Sequence, residues 1–85
     1  MNNYIIKKYI KNLSKNDIYN LALKNNINLN QTELDKLYKY IQNNYLNYFN
    51  NTLSLEQILY DSKIILETNN YIKLSKLYDE YKDKI

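Results

Sequence analysis

Carboxylate pairs are the feature of this sequence that comes closest to a catalytic motif. Glu33 lies two residues before Asp35, and Asp79 lies four residues before Asp83. Two carboxylates can perform acid–base catalysis when an apolar cleft raises the pKa of one of them. A helical bundle of 85 residues has little room for such a cleft. Asp79 and Asp83 also alternate with lysines, as on a solvated helix face. We therefore expect a protein that is not an enzyme.

The residue inventory argues against other kinds of site chemistry. The chain contains no His, Cys or Gly. Without His and Cys the most common metal ligands and the usual nucleophile–base pairs are missing, and without Gly no Gly-rich phosphate loop can form. We expect no metal, no cofactor and no catalytic residue. Asn, Lys, Ile and Tyr dominate instead, which indicates A/T-rich codons in a genome poor in G and C.

Lysines near the start of the chain are candidate contacts for nucleic acid or the ribosome: Lys7, Lys8, Lys11 and Lys15. No acidic residue precedes Asp17. If the first helix continued to Lys15, the last three of these lysines would share one face that could bind phosphates, with Tyr4 and Tyr9 beside it to stack on bases. A solvated polar face and a basic amphipathic helix on a membrane surface remain the alternatives. The net charge of +3 does not choose among them.

Tyrosines supply the leading functional hypothesis. The chain has 11 of them, and several lie off the main apolar stripes. Tyr40, Tyr48 and Tyr60 would form an aromatic patch if the fold brought them together, and such patches are enriched at protein interfaces. We expect a small non-catalytic adaptor that binds an unknown protein partner. Homodimerisation stays open.

Apolar spacing predicts an all-α fold with four to five short helices and no sheet. The spacing of Leu34, Leu37 and Ile41 predicts a helix over about 31–43, with Asn30 and Glu33 as its capping box. A first helix should end near Asn12. Similar apolar stripes predict three further helices. The second helix of the chain should begin at a capping box formed by Ser14 and Asp17, and the fourth should begin at Thr52 or Ser54 and end at 68–70. The last helix carries the apolar stripe Leu74, Leu77, Tyr78 and Tyr81.

Asparagine pairs punctuate the chain and predict the helix boundaries. Asn is the non-glycine residue best suited to the left-handed conformation that ends helices, and it also caps helix starts. Pairs occur at 2–3, 25–26, 43–44, 50–51 and 69–70. The segment 45–50 follows the third pair. Its aromatic content and its alternation of apolar and polar residues suit an extended chain, whereas its position suits a fraying helix end. We predict irregular structure there, packed by Leu46 and Phe49.

The layout from residue 15 to the helix after residue 30 also has the general form of a DNA-binding helix-turn-helix. The turn lacks the glycine often found in that motif, and the outward side of the longer helix is mixed in charge. This interpretation is therefore the weaker one.

The order of these features resembles the YqfT-like family of small uncharacterised proteins from low-GC Gram-positive bacteria. The similar residues run from Leu13 to Tyr81, and include the turn 26–30, the segment 44–50 ending in Phe-Asn, and Leu77-Tyr78 in the last helix. The chain has Asn43-Asn44 where the family carries an Arg-Gly pair. The resemblance implies a helical fold and a bacterial cytoplasm, and it transfers no active site.

Length and hydropathy predict one helical domain over residues 1–85. The longest apolar runs, such as 64–66, have three residues, whereas a membrane span needs about 20. The first residues also lack the layout of a secretory signal. We expect a cytoplasmic protein without a membrane span.

Overall fold

Five α-helices make up the fold. In the computed structural model, which describes residues 3–82, they are α1 (Asn3–Lys11), α2 (Lys15–Lys24), α3 (Gln31–Phe49), α4 (Leu55–Ile65) and α5 (Thr68–Tyr81). No strand occurs within that range. The prediction of an all-α bundle without a sheet is confirmed.

Two helices begin at the capping boxes that the sequence predicts. The Ser14 hydroxyl accepts a hydrogen bond of 3.1 Å from the backbone N–H of Asp17, and the Asp17 carboxylate accepts one of 3.0 Å from the backbone N–H of Ser14. Asn30 and Glu33 make the same reciprocal pair at the start of α3, at 2.8 and 2.9 Å. Each box satisfies N–H groups that the first helical turn leaves without an intrahelical partner.

Asparagine takes the place of glycine at two helix ends. Asn26 after α2 and Asn51 after α3 have φ angles of 63° and 62°, in the left-handed region. After α2, the N–H of Asn26 bonds the Leu23 carbonyl and the N–H of Ile27 bonds the Ala22 carbonyl. This is the Schellman motif, and the same two bonds recur after α3. Here the asparagine pairs end helices as predicted.

Helix α3 does not end at Asn43, and the prediction of irregular structure over residues 45–50 is wrong. The apolar spacing of α3 continues through Tyr45, Tyr48 and Phe49, which are half-buried. The side chain of Asn44 donates to the Tyr40 carbonyl one turn earlier, at 2.9 Å, and leaves the backbone ladder intact. Leu46, expected to pack this segment, is half exposed instead.

Residues 68–70 begin α5, whereas the sequence suggested that they end the preceding helix. Helix α4 starts after the predicted cap Ser54, whose hydroxyl accepts from the N–H of Gln57, and it ends at Ile65. Asn70 is buried and bonded to the start of α3, so this asparagine pair marks a helix start rather than a stop. The predicted last helix through Tyr81 is confirmed.

Helix α3 is the centre of the molecule. It packs against α1, α2 and α4, and α4 packs against α5. Within the described residues, six apolar side chains form the buried core: Leu13, Ile18, Ile27, Leu29, Leu34 and Leu66. Two of them come from the loop between α2 and α3, and one comes from the corner between α4 and α5. Because the core is this small, several large apolar side chains of α1 and α4 remain at the surface.

Candidate protein-binding surface

A shallow groove lies between α1 and the start of α2. It has a volume of about 430 Å³. Leu13 lies at the junction of the two helices and belongs to the buried core. The side chains that line the groove are mostly apolar or aromatic, with one charged residue from each helix, and include Tyr4, Ile5, Lys8, Tyr9, Leu13 and Asp17. We call this surface the α1–α2 groove.

The apolar side chains that α1 contributes to the α1–α2 groove are exposed because α1 is apolar on more than one side. Ile6 and Ile10, on the side that packs toward α3, are half-buried. Tyr4, Ile5 and Tyr9 lie outside that contact and are 68%, 63% and 58% exposed. A contiguous exposed apolar surface of this kind marks an interaction site more often than isolated exposed residues do.

The charges around the α1–α2 groove are mixed, with a basic excess on α1. Helix α1 contains Lys7, Lys8 and Lys11 and no acidic residue. Asp17 contributes one negative charge from α2. Hydrogen bonds from the backbone N–H and hydroxyl of Ser14 lower the pKa of the Asp17 carboxyl, so this group is ionised at neutral pH.

Two of the four candidate lysines make contacts within the fold. Lys15 forms an ion pair of 2.9 Å with Asp35 and lies 5.6 Å from the ring centre of Tyr38. The Nζ atom of Lys7 lies 5.8 Å from the ring centre of Phe49, within cation–π range. Lys8 and Lys11 are exposed. Because α1 ends at Lys11 and α2 begins at Lys15, these lysines do not share one face of a continuous helix.

The three candidate interface tyrosines have different surroundings. Tyr40 is half-buried and donates a hydrogen bond of 2.6 Å from its hydroxyl to the carboxylate of Asp61 on α4. Burial and this bond raise the pKa of Tyr40 above its usual range. The ring of Tyr48 packs edge-on against Phe49 at 5.3 Å. Tyr60 lies on α4 and is 63% exposed. Tyr60 is therefore the most accessible of the three.

Glu33 and Asp35, the carboxylates considered for acid–base chemistry, have separate roles in the fold. Glu33 is only 2% exposed and accepts hydrogen bonds from the backbone N–H groups of Asn30 and Glu67. Asn70 donates to both carboxylate oxygens, at 3.0 and 3.1 Å. Burial tends to raise the pKa of Glu33, but these donors lower it by more, so the net pKa lies below its ordinary value.

The carboxylate of Asp35 accepts hydrogen bonds from the side chains of Lys15 and Gln31, each at 2.9 Å. The hydrogen bond from Lys15 lowers the pKa of Asp35. Glu33 and Asp35 are therefore ionised acceptors whose partners come from the fold itself. Asp79 lies 3.7 Å from Lys82, and its predicted partner Asp83 lies outside the described residues. Residues 3–82 contain no group of three or more carboxylates that could hold a metal ion.

The sequence did not single out Ile5 as a surface residue. Its signal was present, because residues 4, 5, 6, 9 and 10 place large apolar or aromatic side chains around more than half of a nine-residue helix. A small bundle can cover only one side of such a helix, and the rest must be exposed or bound.

None of the helices in residues 3–82 is both long and apolar enough to cross a membrane.

Comparison with known proteins gives no relative from which a function could be transferred. No protein-family model, curated protein or solved structure matches the chain. The resemblance to the YqfT-like family stays a prediction.

Proposed function

We propose that the chain is a non-catalytic protein-binding module that uses the α1–α2 groove as its binding surface. One observation carries the proposal: Tyr4, Ile5 and Tyr9 are each more than half exposed on the same short helix, around a concave surface. Burying these side chains against a partner would supply the apolar contact that the small core does not provide. Tyrosine is also among the residues most enriched at protein interfaces.

The ligand that fits the α1–α2 groove is an amphipathic segment with apolar anchors and an acidic residue. Apolar anchors would contact Ile5 and Tyr9, which lie one helical turn apart. An acidic side chain beside them would meet Lys8 and Lys11, the two exposed lysines of α1. Such a ligand uses both the apolar lining and the basic edge of the groove.

We infer that a nucleic-acid or ribosome contact is the alternative function, since Lys8 and Lys11 are exposed and α1 has no acidic residue. Against it, the fold already engages Lys7 and Lys15, and the ionised carboxylate of Asp17 borders the groove. The bacterial cytoplasm implied by the resemblance is part of the proposal and is compatible with either partner.

Capture from nuclease-treated lysate compares three forms of the tagged protein: the natural chain, an Ile5→Ser/Tyr9→Ser variant and a Tyr60→Ser variant. Tyr60 is the matched control, because it is about as exposed as Tyr9 but lies on α4. The double variant should weaken capture of the bound protein by about thirtyfold or more, which corresponds to the loss of interface residues worth about 2 kcal/mol. Tyr60→Ser should leave recovery unchanged, and circular dichroism should show that all three forms are folded.

Each other outcome has a definite meaning. Equal capture by the double variant would overturn the α1–α2 groove as the binding surface. Loss of capture with Tyr60→Ser would instead place the contact on α4, as the tyrosine hypothesis predicts. A parallel capture from untreated lysate tests the alternative. If the bound proteins are recovered only without nuclease, and replacing Lys7, Lys8, Lys11 and Lys15 with Gln flattens the salt dependence of binding, the nucleic-acid alternative replaces the proposal.

A further inference from the structure

The outward side of α4 is a second exposed apolar surface, separate from the α1–α2 groove. Ile64 is 78% exposed, the highest value among the large apolar side chains of the described residues, and Tyr60 lies one turn before it. The opposite side of α4 contains the buried Ser62 and the half-buried Leu59 and Ile65. This opposite side faces the interior, so the contacts of α4 with α3 and α5 leave Tyr60 and Ile64 uncovered.

Two opposite charges flank Tyr60 on this side. Glu56 is in the first turn of α4 and Lys63 is in the last turn, and both are exposed. At about 100° per residue, Glu56 and Lys63 lie roughly 40° and 60° from Tyr60, in the same rotational direction. The outward side therefore has Glu56 in its first turn, Tyr60 at its centre, and Lys63 in its last turn, with Ile64 about 40° from Tyr60 in the opposite rotational direction.

We propose that this surface binds a second copy of the same chain, with the two α4 helices packed antiparallel across a two-fold axis near residues 59 and 60. In an antiparallel pair related by a two-fold axis, positions whose numbers lie equally far on either side of the centre face each other. Glu56 of each copy then lies opposite Lys63 of the other, with Tyr60 between the two ion pairs and Ile64 just beyond Lys63 at the edge of the contact.

The arrangement of charge favours a second copy over other occupants. A parallel pair would place Glu56 beside Glu56 and Lys63 beside Lys63, which is repulsive. An anionic membrane surface would attract Lys63 and repel Glu56. Of these three arrangements, only the antiparallel pair matches both charges, and it also sets the two helix dipoles in opposite directions.

The contact should be weak. Helix α4 has 11 residues and is about 16 Å long, so its outward side buries less than the roughly 800 Å² per partner of a standard stable interface. We expect a dissociation constant between about 10⁻⁴ and 10⁻³ M. The chain would be monomeric when dilute and would associate where it is locally concentrated.

Sedimentation equilibrium over about 10 μM to 1 mM tests the proposal with charge-swapped variants. Glu56→Lys and Lys63→Glu should each weaken association by about fivefold or more, because each leaves like charges opposed. The variant with both changes should restore association to about the natural level, because it regenerates the two ion pairs with their signs exchanged. Ile64→Ser should abolish association, and Tyr9→Ser should leave it unchanged.

Several results would overturn the inference. A natural chain that stays monomeric throughout this range would do so, as would a doubly swapped variant that associates no better than the single ones. Loss of association with Tyr9→Ser but not with Ile64→Ser would move the contact to α1. Circular dichroism of every variant separates loss of contact from loss of folding. Capture by the α1–α2 groove is a separate measurement, so failure of one proposal does not decide the other.

Discussion

The carboxylate of Glu33, in the first turn of α3, accepts a hydrogen bond of 2.8 Å from the backbone N–H of Glu67, the residue immediately before α5. The other carboxylate oxygen accepts from the N–H of Asn30, the residue before α3. Glu67 makes no side-chain cap of its own for α5. One buried side chain therefore satisfies the backbone at the starts of two helices.

Replacing Glu33 with Gln should destabilise the protein by about 2–4 kcal/mol. The amide is similar in shape, but it replaces one accepting oxygen with an NH₂ group that faces N–H donors, and it removes the charge that strengthens the remaining bonds. Urea denaturation followed by circular dichroism measures the change. Glu56→Gln, at an exposed glutamate of α4, is the control and should stay within about 0.5 kcal/mol. Equal stability of the two variants would show that the buried bonds contribute nothing net.

Acid should unfold the natural protein partly through Glu33. Its pKa is lowered in the folded state, so its contribution to stability is present above the unfolded pKa of about 4.3 and is lost as pH falls through the lower folded value. Asp17 and Asp35, whose pKa values are also lowered, contribute with the same sign.

The measurement is the free energy of unfolding at pH values from about 6 down to 2, a range that spans the ordinary carboxyl pKa. Glu33→Gln should show a shallower fall than the natural chain, since it cannot take up a proton at this position. A fall of unchanged steepness would mean that Glu33 does not titrate differently in the folded and unfolded states.

Asn26 should tolerate Gly better than Ala. Its φ of 63° suits Gly, whereas the Cβ of Ala makes this conformation cost about 1–2 kcal/mol. We expect Asn26→Gly to change stability by less than about 0.5 kcal/mol and Asn26→Ala to lower it by about 1 kcal/mol. Thermal unfolding of both variants provides the comparison.

Asn20, exposed within α2, is the matched control for Asn26. In the interior of a helix Ala is favoured over Gly by about 1 kcal/mol, so the order of the two variants should reverse. If Ala is the better residue at both positions, the left-handed conformation of Asn26 is not what sets its stability.

Local patterns predicted the helices, and the contacts between distant segments escaped prediction. The box formed by Asn30 and Glu33 needs only residues three apart, so it was visible in the sequence. The bond from Glu67 to Glu33 spans 34 residues and depends on how α5 meets α3. Asparagine pairs showed the same limit. Asn25-Asn26 ends a helix, whereas Asn43-Asn44 lies within α3, where the half-buried Tyr48 and Phe49 continue the apolar side of the helix.

The candidate surface was predictable only in part. The lysines of α1 were evident from their spacing, but the pairing of Lys15 with Asp35 required the packing of α2 on α3. Tyr40 was predicted as an interface residue, but its hydroxyl donates a hydrogen bond to Asp61 on α4, a contact that depends on how α4 packs on α3. Which apolar residues of α1 are exposed depended on how much of that helix the small core of residues 3–82 could cover.

The shared cap at Glu33 also bears on how the native protein opens. Withdrawal of this carboxylate would release the amide protons of Asn30 and Glu67 in one event, so the starts of α3 and α5 should open as a single cooperative unit. Hydrogen exchange at these two amides would then proceed with the same opening free energy. The first turn of α5, which has no local side-chain cap, would close only after α3 is in place, late in folding.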